Sequence, residues 1–133
     1  MTLIMALITR TGLAKADMVR AIGSLVTRSL ERSLPVGVAL YTLGGLLFAI
    51  LYATALSIVP VQGFWPSFGA STVLGFAHGF VMSFVLVVSV AEHHPVAEFR
   101  DSGFGVAAAH IFGHIAYGMG VGTVLGLAGM PQG

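Results

Sequence analysis

Residues 33–91 read SLPVGVALYTLGGLLFAILYATALSIVPVQGFWPSFGASTVLGFAHGFVMSFVLVVSVA, without one Asp, Glu, Lys or Arg. A run of 59 residues with no formal charge decides the fold class, because a soluble domain of this size needs charge to cover its surface. Crossing the hydrocarbon core takes about 20 apolar residues in a helix, and the run holds two such segments, Pro35–Val59 and Phe68–Ala91. Pro35 suits a first helical turn, where its missing N–H has no intrahelical partner to lose, and Pro60 stops the helix. Ser67 is placed to cap the second segment, with Pro66 before it and Pro95 just past its end. A third segment, Phe104–Ala128, follows Asp101 and Ser102 and precedes Pro131. The three runs are continuous rather than alternating and too few to close a barrel, so they read as helices, whose backbone groups are satisfied internally in lipid. The expected architecture is all-α: a polytopic transmembrane helix bundle forming one membrane domain over residues 1–133.

Composition agrees with that reading along the whole chain. Of 133 residues, 8% are charged, against about 25% in a soluble domain. This excludes a soluble enzyme, a nucleic-acid binder and a disordered tail. The net charge of +1 implies no polyanionic partner. Absence of cysteine removes disulfides, zinc–thiolate sites, iron–sulfur clusters and thiol nucleophiles.

The N-terminal third is different. Residues 1–9 form an apolar segment too short to span, and Arg10 and Lys15 follow it rather than precede it, which is the wrong order for a signal peptide. Two readings stand: a short membrane-dipping helix, or the end of a truncated first span. Over residues 17–33, Met18, Ile22, Leu25, Val26 and Leu30 recur at helical spacing between Arg20, Arg28, Glu31 and Arg32. That pattern is an amphipathic helix at the interface. Five of the six Lys/Arg precede Pro35, so the positive-inside rule puts residues 10–33 in the cytoplasm. The uncharged Pro60–Ser67 loop, with Phe64 and Trp65, then lies on the far side, the 92–103 loop returns to the cytoplasm, and the C-terminus lies outside. A bacterial inner membrane is the expected location.

Chemistry in such a chain falls to its histidines. His78 lies within the second span, His110 and His114 within the third, and His93 and His94 at the cytoplasmic end of the second. Ionisable groups at membrane depth are costly and mark candidate sites. His110 and His114 share a helix face, and counting about 1.5 Å per residue from the cytoplasmic ends sets His78 and His114 at similar depth. His78, His110 and His114 are therefore candidate cofactor ligands, for a haem, a chlorophyll-type pigment or a metal ion. The spacing of His110 and His114 suits a helical metal pair, and Glu92, His93, His94 and Glu98 are candidate metal ligands at the cytoplasmic mouth. A proton relay is a further reading. The structural alternative is that these histidines stay neutral and hydrogen-bond across helices. Tyr41, Phe48 and Tyr52 share a face of the first span, as core packing or as the lining of a quinone or pigment pocket.

Glycine is the other signal. Gly118, Gly122 and Gly126 form a ridge on the third span, and Gly75, Gly79 and Ser83 form one on the second. Such ridges let backbones approach closely and drive helix association in lipid.

Three stretches carry a resemblance. These are Gly12-Leu13-Ala14-Lys15-Ala16-Asp17-Met18 followed by Ile22-Gly23-Ser24; Gly45-Leu46-Leu47-Phe48-Ala49; and Ala109-His110-Ile111-Phe112-Gly113-His114-Ile115-Ala116-Tyr117-Gly118. Together they resemble an uncharacterised family of small bacterial four-helix integral membrane proteins. The resemblance implies a complete first span, a pattern from which the abrupt start of this chain departs, and it carries no known activity to transfer.

The sequence holds no Ser/His/Asp arrangement, buried carboxylate pair or phosphate loop. It therefore reads as a non-catalytic accessory or scaffold subunit, packing through its glycine ridges against a larger membrane complex or a second copy of itself. The alternative is a small cofactor- or metal-binding bundle using His78, His110 and His114.

Overall fold

The computed structural model describes residues 17–86, 92–100 and 103–129. Among these the chain is all-helical, with α1 over Met18–Thr27, α2 over Ser33–Ser57, α3 over Phe64–Val85 and α4 over Phe104–Ala128, and a 3-10 turn at Ala97–Phe99. The apolar 1–9 segment and the 87–91 end of the expected second span lie outside the described residues. At 1.5 Å per residue α2 and α4 are about 37 Å long and α3 about 33 Å. Each exceeds the roughly 30 Å hydrocarbon core, and all three are apolar enough to cross a membrane.

α1 is shorter than its periodicity suggests. Asp17 caps it, accepting the Arg20 N–H at 3.1 Å, and Met18, Ala21, Gly23 and Ser24 form its buried face. The helix was expected to run to Ser33, but Arg28 turns into the left-handed region at φ 52°, its N–H returning to the Ser24 carbonyl. Hydroxyl groups explain the break. Ser24 Oγ lies 2.7 Å from Arg20 O, Thr27 Oγ1 lies 2.9 Å from Ser29 O and Ser33 Oγ donates to Leu30 O at 2.6 Å. Local side-chain bonds of this kind compete with the helical ladder. The turn sends α2 back along α1 at backbone contact: a Cβ on Gly23 would overlap the Ser33 carbonyl, and one on Gly37 the Val19 carbonyl.

Pro35 sits in the first turn of α2, as its lack of an N–H allows. The α3 start moves four residues upstream of the expected Phe68. Gly63, at φ 89°, precedes Phe64, and Pro66 is absorbed into the first turn. Ser67 is thus inside the helix, 1% exposed against α4, and not its cap. α4 begins and ends where the sequence places it, closed by Gly129 in the left-handed region at φ 59°.

α3 and α4 pack antiparallel in close contact, and both glycine ridges are spent on that contact. A Cβ on Gly118 would overlap the Ser71 carbonyl, and one on Gly75 the His114 carbonyl. One on Gly122 would come within 2.8 Å of Phe68 Cα, and one on Gly126 within 3.0 Å of Phe64 Cα. The ridges expected to face a partner therefore face each other. α2 meets this pair through side chains. Only 6% of its most apolar stretch is buried, against 28% for α4, and Leu43, Leu46, Leu47 and Ile50 point outward.

Candidate functional site

The glycines of α3 set the position of the histidines of α4. Gly79 faces His114 so closely that a Cβ there would lie 2.7 Å from His114 Cβ. That approach brings the His78 and His114 rings edge to face, with centroids 4.5 Å apart. Helix rise alone sets them at similar depth; the glycine contact brings them together. His110, one turn before His114, stacks obliquely on it at 4.4 Å. His110 and His114 are each 6% exposed.

α2 closes the cluster with aromatic rings. Phe48 packs on His78 at 4.0 Å between centroids. Tyr52 Oη is hydrogen-bonded to His78 Nδ1 at 3.1 Å. From α4, Tyr117 packs edge-on against Tyr52, and its hydroxyl donates to the Gly45 carbonyl of α2. Sequence reading passed over Tyr117. The signal was its spacing, three residues after His114 and seven after His110, which continues their face.

Hydrogen bonding fixes one histidine and leaves two incomplete. His114 Nδ1 donates to the His110 carbonyl at 2.9 Å, since a carbonyl can only accept. Among the described residues His78 Nε2, His110 Nδ1, the Tyr41 hydroxyl and, in the α3–α4 seam, Ser71 Oγ are buried without a hydrogen-bond partner. Buried polar atoms in folded proteins are nearly always paired, and each exception calls for an explanation. Tyr41, His78 and His110 all line one cavity of about 510 Å³ between α2 and the α3–α4 pair. Its remaining wall includes Ile22 of α1, Gly44, Gly45, Phe48, Met82, His114 and Tyr117. No charged residue lines it.

Not every arrangement allowed by the sequence survives. Imidazoles on opposite faces of a haem hold their ligating nitrogens about 4 Å apart, at roughly 2 Å per metal–nitrogen bond, with ring centroids farther still. The His78 and His114 rings touch at 4.5 Å, which leaves no layer for a macrocycle between them. In the 92–100 loop, Glu92, His93 and Glu98 are exposed. His94 is 1% exposed and uses both ring nitrogens. Nδ1 accepts the Val96 N–H at 3.1 Å, and Nε2 then donates to the Ala21 carbonyl of α1 at 3.1 Å. Arg100 Nε donates to the His94 carbonyl at 2.7 Å. His94 is thus a clamp between the 92–100 loop and α1. Among the described residues no group of three or more His, Asp or Glu is placed to hold a metal ion.

No protein-family model, no curated protein and no solved structure matches the chain.

Proposed function

We propose that this chain is a small membrane-embedded binding protein, acting by holding a ligand and not by catalysis. The ligand sits in the cavity between α2 and the α3–α4 pair, against His78, His110 and Tyr41. One observation carries the reading: in a bundle whose spans hold no charge, three of the four buried side-chain polar atoms without partners among the described residues belong to residues that line a single cavity. The cavity volume is within the roughly 300–1,000 Å³ of small-molecule sites, which pair an apolar wall with a few polar groups. The accessory-subunit reading loses its specific support, because the glycine ridges that would have met a partner pack inside the chain. The distribution of Lys and Arg favours α1 and the 92–100 loop on the cytoplasmic side, with the α2–α3 turn and its exposed Trp65 opposite.

The test is purification from native membranes in mild detergent, with an absorption spectrum, metal analysis and mass spectrometry of extracted small molecules. The wild-type chain should retain one small molecule in near-stoichiometric amount. A His78→Ala/His110→Ala variant, shown to be helical by circular dichroism, should lose it. Wild-type protein that comes out empty, or a helical variant that keeps the molecule, would overturn the proposal.

A further inference from the structure

The wall of the cavity also constrains what fills it. The ligand is uncharged, because burying a charge without a partner is prohibitive and no Lys, Arg, Asp or Glu lines the cavity. This weighs against a haem, whose carboxylates would go unmatched. The unpartnered atoms supply hydrogen bonds in two directions. Tyr41 Oη is a donor, and when Tyr52 donates to His78 Nδ1 the proton of His78 is on Nε2, a second donor. His110 Nδ1 serves as acceptor or donor according to its tautomer. Phe48 offers an aromatic face beside them.

A second cavity adds the rest of the shape. About 450 Å³ between α2 and α4 is lined by Ala49, Tyr117, Gly120, Val121, Val124 and Leu125. Ala49 and Tyr117 also line the first cavity, so the two are neighbours along one helix interface. The second has no polar side chain other than Tyr117. Val124 is 66% exposed, so the groove opens on the surface of the bundle, where lipid lies. The first cavity, apolar in its exposed wall with the three polar atoms just beneath that wall, thus adjoins a second apolar groove open at the surface of the bundle.

We propose that the ligand is a lipid-soluble quinone, a neutral ring with carbonyl acceptors on a long apolar tail. The ring lies between Phe48 and His110, with its carbonyls accepting from Tyr41 Oη and His78 Nε2–H. The tail runs past Tyr117 into the α2–α4 groove. The three polar atoms are covered in the ligand-free molecule, so the ring enters by a rotamer-scale shift of the wall, ordinary at ligand sites. This inference rests on the binding reading above.

The full chain, with ¹⁵N-labelled histidine, is placed in phosphatidylcholine nanodiscs and titrated with a two-isoprene ubiquinone. The His78 and His110 ring signals should shift saturably while that of exposed His93 stays fixed. An isoprenoid alcohol of equal tail length should leave all of them unmoved. Tyr41→Phe should weaken binding roughly tenfold, as the loss of one hydrogen bond does. Gly45→Leu should weaken it more, since a Cβ there meets open space and the side chain can occupy the chamber. Ala49→Phe is a second filling variant should that one misfold. Val124→Trp should weaken the tailed quinone but not a tailless benzoquinone. Failure of the quinone alongside saturable binding of haem or Zn²⁺ would overturn the ligand class and leave the binding reading intact. Failure of all three would overturn both, and equal binding by helical Gly45→Leu and Ala49→Phe would overturn the location.

Discussion

α3 and α4 meet through glycine, whereas α2 meets them through rings, and the two contacts have opposite consequences. Where Gly75, Gly79, Gly118 and Gly122 stand, backbone lies against backbone and no space remains for a ligand. Where Phe48 and Tyr52 stand, α2 is held off by the width of its side chains, and cavities of about 510 and 450 Å³ lie beside them. In lipid no hydrophobic force draws helices together, so close packing and interhelical hydrogen bonds decide which pairs are tight. The α3–α4 pair has dense packing. Among the described residues α2 has two polar ties to that pair, Tyr52 to His78 and Tyr117 to the Gly45 carbonyl. One pair is a tight seam, and the third helix forms the outer wall of the cavities beside it.

The sharpest way to break the contrast is at Gly118. Gly118→Leu forces a side chain into the Ser71 carbonyl and should destabilise the bundle by about 3 kcal/mol or more, beyond ordinary overpacking because the obstacle is backbone. Unfolding of the purified protein in mixed micelles measures it. Gly23→Val applies the same test to the α1–α2 turn and should cost about 2 kcal/mol, seen as protease sensitivity or fast amide exchange confined to α1. Removing the clamp by His94→Ala should release α1 from the 92–100 loop at about 1–2 kcal/mol, since the Ala21 contact and the Val96 N–H lose their partner. Tyr52→Phe unties α2 from His78 and should cost about 0.6 kcal/mol, the average for a polar contact between membrane helices. It should also shift the ¹⁵N signals of His78 while leaving those of His94 unchanged. The smallest effect belongs to Gly120→Ala, two residues from Gly118 on the same helix but open where its Cβ would lie. It should stay within about 0.5 kcal/mol of wild type. A loss at Gly120 as large as at Gly118 would mean that α2 packs on α4, too, by backbone contact.

Much of the fold was legible because charge and proline mark it. Three spans follow from the absence of Asp, Glu, Lys and Arg, and the bounds of α4 match the reading of Phe104–Ala128. The misplaced boundaries are local and have local causes. Ser67 looked like a cap because serine favours that role, yet Gly63 can adopt a positive φ that opens the helix earlier. The end of α1 at Arg28 depends on hydroxyl bonds of Ser24, Thr27 and Ser33, which hydrophobic periodicity does not register. Among the candidate residues, the shared face of His110 and His114 and the similar depth of His78 follow from helix geometry, while the contact of His78 with His114 follows from the close approach at Gly79. The role of His94 does not, because its bond to Ala21 spans 73 positions, and no local pattern announces so distant a partner.

Sequence alone determined that the chain is a helical membrane bundle and that its polar chemistry is confined to a few histidines and tyrosines, since both follow from the free energy of placing each residue type in lipid. Sequence also determined that the glycines form ridges, as helix periodicity requires. Which surfaces those ridges cover, and where space remains, was decided by the tertiary structure. A glycine ridge is equally suited to a partner, a second copy or a neighbouring helix, and only the antiparallel fit of α3 on α4 assigns it. That fit leaves α2 as the helix held away by its rings, and so leaves His78, His110 and Tyr41 beside a cavity and not within a packed seam.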